Sequence, residues 1–149
     1  MPATQTTYGD LAVGLPGHVF NMEGQNSITR TIEDPDGVGF GIAVFQGVTD
    51  LGITKTPGTL FKGVTIIDVT TVRTESSAVK VDVYPPKINV GVHDKGVILV
   101  AVTAAVAAGA PAFVSPTFAW SSTATGNTAV PATFDSSTTG AGLAKLRIR

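Results

Sequence analysis

The chain has 149 residues, with 10 basic and 11 acidic side chains, a formal net charge of -1 and no cysteine. That balance lacks the electrostatic footprint of a nucleic-acid binder, and the missing Cys excludes disulfides, thiolate metal sites and Cys nucleophiles. Only 14% of the residues are charged, against roughly 25% in an ordinary soluble domain, while the length suits one domain able to bury about two-thirds of its unfolded surface.

Val, Ile and Thr supply 49 residues, and β-branched side chains favour pleated strands over helices. No long stretch carries a 3.6-residue apolar period. In chain order, Met1–Leu15 has no Lys or Arg and no compact apolar run, so no signal peptide is expected. Residues 1–17 read as an extended arm with scattered apolar side chains (Tyr8, Leu11, Val13, Leu15), and residues 18–149 as one β domain.

Ser27–Ile32 alternates, placing Ile28 and Ile32 on one face. Asp34-Pro35-Asp36-Gly37 has turn chemistry. Val38–Phe45 follows as a buried strand whose Gly39 and Gly41 suggest a bulge or the close approach of another backbone. Thr49–Leu60 reads as a loop, Gly63–Val69 as a strand, and Val79–Val83 as an alternating strand stopped by Pro85-Pro86. Ile88–Val92 and Val97–Val102 flank His93-Asp94-Lys95-Gly96, which reads as a hairpin turn with both His93 and Asp94 projecting into solvent.

Gly109-Ala110-Pro111 turns the chain into Ala112–Val114. Further strands are expected at Thr117–Trp120, Ala129–Phe134 and Leu143–Ile148, the last with Ala144, Leu146 and Ile148 on one side. About eight short strands with frequent turns predict an all-β fold, a compact barrel or sandwich. The uncharged run Val97–Val114 is broken by Gly109 and Pro111 and diluted by Ala. A buried strand and turn account for it better than a membrane span.

From Gly96 through Phe134 there is no Asp, Glu, Lys, Arg or His. Seventeen of the 21 charged residues precede Gly96 and four lie at or after Asp135. Interface cores are depleted in charge and enriched in aromatics, so this stretch is expected to pack against other protein chains, with Phe113, Phe118 and Trp120 as candidate subunit contacts.

Chemistry has little to work with. His18 and His93 are the only imidazoles, and no Gly-x-Ser-x-Gly elbow accompanies them. Asp34-Pro35-Asp36-Gly37 lacks the remaining ligands of a calcium loop. Gly37-Val38-Gly39-Phe40-Gly41 lacks the spacing of a phosphate loop. The expectation is a non-enzymatic protein with no cofactor, no metal, no nucleic-acid partner and no membrane partner.

An ordered series of segments carries a resemblance. It runs from Gly14-Leu15-Pro16-Gly17 through Val38-Gly39-Phe40-Gly41-Ile42-Ala43-Val44-Phe45-Gln46-Gly47 and Phe61–Val69 to Val92–Val100. It continues with Val106–Val114 and Ala132-Thr133-Phe134-Asp135, and ends on Gly140–Ile148. Across most of its length the chain resembles the structural cement, or capsid decoration, proteins of tailed bacteriophages. Where such proteins often have an acidic residue before Pro111, this one has Ala110.

The resemblance implies a β domain on the outer surface of an assembled virion head, made in the bacterial cytoplasm. Its partner would be the major capsid protein. It also implies self-association, as a trimer or alternatively a dimer. Polarity and position, rather than any family motif, single out Tyr8, Leu11, Val13 and Leu15 as capsid-contacting. The competing reading is a receptor- or glycan-binding β module of a virion or cell-surface appendage.

Overall fold

A computed structural model describes residues 14–68 and 83–149; Tyr8, Leu11, Val13 and most of the expected strand Val79–Val83 lie outside them. The described residues form β1 (Asn26–Ile32), β2 (Val38–Gly39), β3 (Ala43–Gln46), β4 (Gly52–Thr54), β5 (Phe61–Thr65) and β6 (Val83–Tyr84). These are followed by β7 (Asn89–Val102), β8 (Pro111–Val114), β9 (Trp120–Ser121), β10 (Thr128–Phe134) and β11 (Gly142–Ile148). The all-β expectation holds, and among the described residues no helix is long and apolar enough to cross a membrane.

The 14-residue β7 organises the molecule. Its first half pairs antiparallel with β1, through Ile28↔Val92 and Arg30↔Val90, and with β5, through Val64↔His93. Its second half pairs antiparallel with β11 from Ile148↔Gly96 to Gly142↔Val102. The sheet order β1-β4-β3-β5-β7-β11-β10-β8-β9 is supplemented by β1–β7 and β7–β9 pairing. The strands therefore close into two five-membered rings that share β7. A separate short ladder joins β2 to β6.

Two apolar clusters follow from this arrangement. The smaller contains Ile32, Val38, Val44, Ile53, Tyr84, Val90 and Val92, with Ile28 packed against it, as the alternation in β1 predicts. The larger gathers Val100, Val114, Trp120, Phe134, Ala144, Leu146 and Ile148, together with Ala43, Phe45 and Val64 from the first ring. On β3, Val44 faces one cluster while Ala43 and Phe45 face the other, so every apolar side chain of that strand is buried. Fully burying a side chain of this size contributes about 1.5–3 kcal/mol.

Three expectations are corrected. His93-Asp94-Lys95-Gly96 is a bulge inside β7, not a hairpin turn. Asn26 partners Lys95 and the next residue, Ser27, partners His93, leaving Asp94 as the extra residue on β7. A bulge and a tight turn draw on the same residues, here a glycine at φ 115°. The extra residue shifts the alternation, and His93 is buried rather than solvent-facing.

Val38–Phe45 is not continuous, because Gly41, at φ 66°, turns the chain between β2 and β3. The close approach expected there is real: a Cβ on Gly41 would lie 2.8 Å from Gly17 N and 2.9 Å from Pro16 Cβ. The loop Thr49–Leu60 contains the short β4, which runs parallel to β1 through Thr31↔Gly52 and Ile32↔Ile53.

Candidate interaction surface

The chain enters the fold through Gly14–Phe20. Gly17 N–H donates to Leu99 O (2.8 Å), Leu99 N–H to His18 O (2.9 Å), and Phe20 N–H to Val97 O (3.0 Å). Ile67 N–H reaches back to Gly17 O at 3.0 Å. The lead-in thus lies along β7 from Gly17 onward. Further along, Lys145 Nζ sits 3.8 Å from the centroid of the Phe20 ring, a cation–π contact. Arg147 bridges Glu23 and Asp135, and the hydrogen bond from Arg147, its largest influence, holds the Glu23 carboxyl below the ordinary carboxylate range.

Just before Gly17, Leu15 is 48% exposed. It lines a cleft of about 220 Å³ with Pro16, Gly39, Phe40 and Ile67. Pro16, Gly39 and Phe40 are shared with a second cleft of about 350 Å³, whose wall continues through Lys55, Thr103, Thr117, Phe118 and Trp120. Lys55 lies 5.1 Å from the Phe118 ring centroid and pairs with Asp36 at 2.6 Å. Phe118 itself sits at φ 68°, a conformation rare for a bulky residue. Phe118 N–H to Ser115 O (2.9 Å) and Ala119 N–H to Ser115 Oγ (3.1 Å) hold it there.

Of the residues singled out from sequence, the structure gathers Leu15, Phe118 and Trp120 around these adjoining clefts. Trp120 is only 2% exposed, and its indole N–H donates to Gly41 O at 2.8 Å. Its ring is committed to the chain's own core and offers almost no area to a neighbouring subunit. Phe113 stands apart and half-buried. It pairs with Ser121 and Ala129, on the opposite face of β8 from the core residue Val114.

Phe40 and Lys55 were not anticipated as cleft residues. The glycines flanking Phe40 are the signal that could have marked it. Nor does the sequence flag the loop between β3 and β4, where Val48 is 98% exposed and Leu51 61%. That loop is braced by the Glu33 carboxylate, which accepts from Val48 N–H (2.6 Å), Thr49 N–H (2.9 Å) and the Thr49 hydroxyl (2.6 Å).

The charge-free stretch divides by environment. Val97, Ile98, Val100, Val114, Trp120 and Phe134 supply core. Ala101, Thr103, Ala104, Ala105, Ala107, Ala108 and Gly109 form an exposed, uncharged surface of small residues. Among the described residues no group of three or more His, Asp or Glu could hold a metal ion.

The described residues thus form a closed, strand-built fold with two adjoining clefts and an uncharged surface of small residues. The same fold is found in a chain from the capsid of Myoviridae phage XM1, with TM-score 0.73 and 18% sequence identity over 100% of this chain and 98% of that one. Residues 4–149 match the family described as structural cement protein (E217 gp24/Pam3 gp6), and the chain belongs to that family. No curated protein sequence matches it.

Proposed function

We propose that this cement protein binds the outer face of an assembled phage head and clamps neighbouring major capsid subunits, adding contact area and turning over no substrate. The family match over residues 4–149 carries this reading. The closure of the strands into two rings that share β7 supports it, since a clamp that deformed easily would transmit little restraint.

In this reading Tyr8, Leu11, Val13 and Leu15 contact the shell, while Phe113 on β8 and Phe118 in the turn before β9 meet other copies of the chain. A trimer on a three-fold position, or a dimer on a two-fold, would present several arms together. Weak individual contacts then gain through effective concentration. Trp120 contributes only indirectly, by fixing the wall of the cleft below Phe118.

Adding purified protein to undecorated heads and measuring bound copies by sedimentation and cryo-electron microscopy tests the assignment. Saturable binding at symmetric outer positions is expected, and heads that remain bare count against it. Removing residues 1–15 is expected to lower occupancy at least tenfold, the equivalent of about 1.4 kcal/mol. Unchanged occupancy removes the arm from the mechanism.

A further inference from the structure

His93 is fully buried at the bulge of β7, where the strand passes from one ring to the other. Its Nδ1 lies 3.2 Å from Ser27 Oγ, while Nε2 has no hydrogen-bond partner among the described residues. Gly96 leaves room for the ring: a Cβ there would stand 2.8 Å from Nε2 and 2.9 Å from Gln25 Cβ. A neutral imidazole satisfies one nitrogen with Ser27 and leaves the other unused. A protonated one has two N–H donors and a charge to accommodate, and a buried donor without an acceptor is costly.

We propose that His93 makes this bulge an acid-sensitive joint, so that protonating the imidazole opens the β1–β7 ladder around Ser27 while the β7–β11 ladder stays closed. The lesion is local because His93 belongs to the half of β7 that pairs with β1 and β5, whereas β11 pairs only from Gly96 onward. The charged side chains on the packed segments are Glu23 ahead of β1, Arg30 on β1, Lys62 on β5, and Asp94 and Lys95 on β7.

Among them Asp94, held by Asn26 Nδ2 at 2.8 and 3.0 Å, favours the proton. Burial opposes it more strongly and places the His93 pKa below the ordinary 6.5. The sign follows. The open state takes up the proton first, so the closed joint is fully stable above pH 6.5 and loses stability as pH falls below that value.

Amide hydrogen exchange between pH 7.5 and 5.0, corrected for intrinsic rates, tests this beside an NMR titration of the His93 ring. Protection at residues 27–30 is expected to fall by up to about tenfold per pH unit below 6.5, levelling at the ring's own midpoint. Protection at residues 143–148 is expected to hold. In His93→Gln the pH dependence at residues 27–30 should vanish. Flat protection down to pH 5, equal losses in both ladders, or an unchanged profile in His93→Gln overturns the proposal. Should that variant fail to fold, the wild-type comparison decides, because exchange that does not level off at the ring midpoint is equally fatal.

Discussion

Trp120 shows how one side chain can tie distant segments together. The indole lies in the second ring, yet its N–H reaches Gly41, 79 positions earlier, at the turn between β2 and β3. Replacing it by Phe retains much of the apolar volume but deprives the Gly41 carbonyl of this donor. Trp120→Phe is expected to cost about 1–3 kcal/mol, read as a lower urea midpoint with an unchanged slope. Sequence marked Trp120 as a contact for other subunits because it is aromatic in a charge-free stretch. The same description fits a core residue, and only the partner across the fold separates the two. Tyr84 makes the same point: its hydroxyl donates to Ile66 O at 2.5 Å, and burial, with Asp68 adding, pushes its pKa up to about 12.

At the level of elements, the loop joining β3 to β4 is built around a carboxylate from outside the hairpin. A Cβ on Gly47 would stand 2.1 Å from Glu33 Oε2, and one on Gly52 1.8 Å from Oε1. The two glycines are therefore the room in which Glu33 sits. Gly52→Ala is expected to displace it and destabilise the protein by about 1–3 kcal/mol.

The Thr49 hydroxyl, followed by the Thr49 and Val48 N–H groups, holds the Glu33 carboxyl below its ordinary 4.5. Its contribution is present above pH 4.5 and lost as pH falls through the lowered value. A melting-temperature gap between wild type and Glu33→Gln at pH 7 should therefore close in acid. A pattern such as Ala144, Leu146, Ile148 is legible in sequence because each strand residue reports only its own face. Neither this loop nor the bulge in β7 is legible that way, since each depends on a residue from elsewhere in the chain: Glu33, just past β1, in one case, and Ser27 on β1 in the other.

For the whole molecule, the sharing of β7 sets the expected unfolding behaviour. Neither ring can lose this strand and remain closed, so the rings should unfold together. Fluorescence of the single Trp, which reports the second ring, and far-UV circular dichroism, which reports both, are expected to give coincident denaturation curves near neutral pH. Separated midpoints would mean that the rings are independent units. Sequence conveyed the strand-rich class and the turns at Asp34–Gly37 and Gly109–Pro111. It could not convey closure, because the β1–β7 pairing joins strands far apart along the chain and the β7–β9 pairing skips over β8.

Closure also removes one route to self-aggregation that a chain with so few charges would otherwise leave open. An open sheet exposes unpaired backbone groups along its outer strands, and proteins commonly guard such edges with lysines and other charges. Here every strand of the nine-stranded sheet has a neighbour on both sides. The guarding is done by connectivity, leaving the side chains from Gly96 to Phe134 free to remain uncharged. A protein of this kind can be crowded onto a surface at high local density without its nine-stranded sheet becoming a template for the next copy.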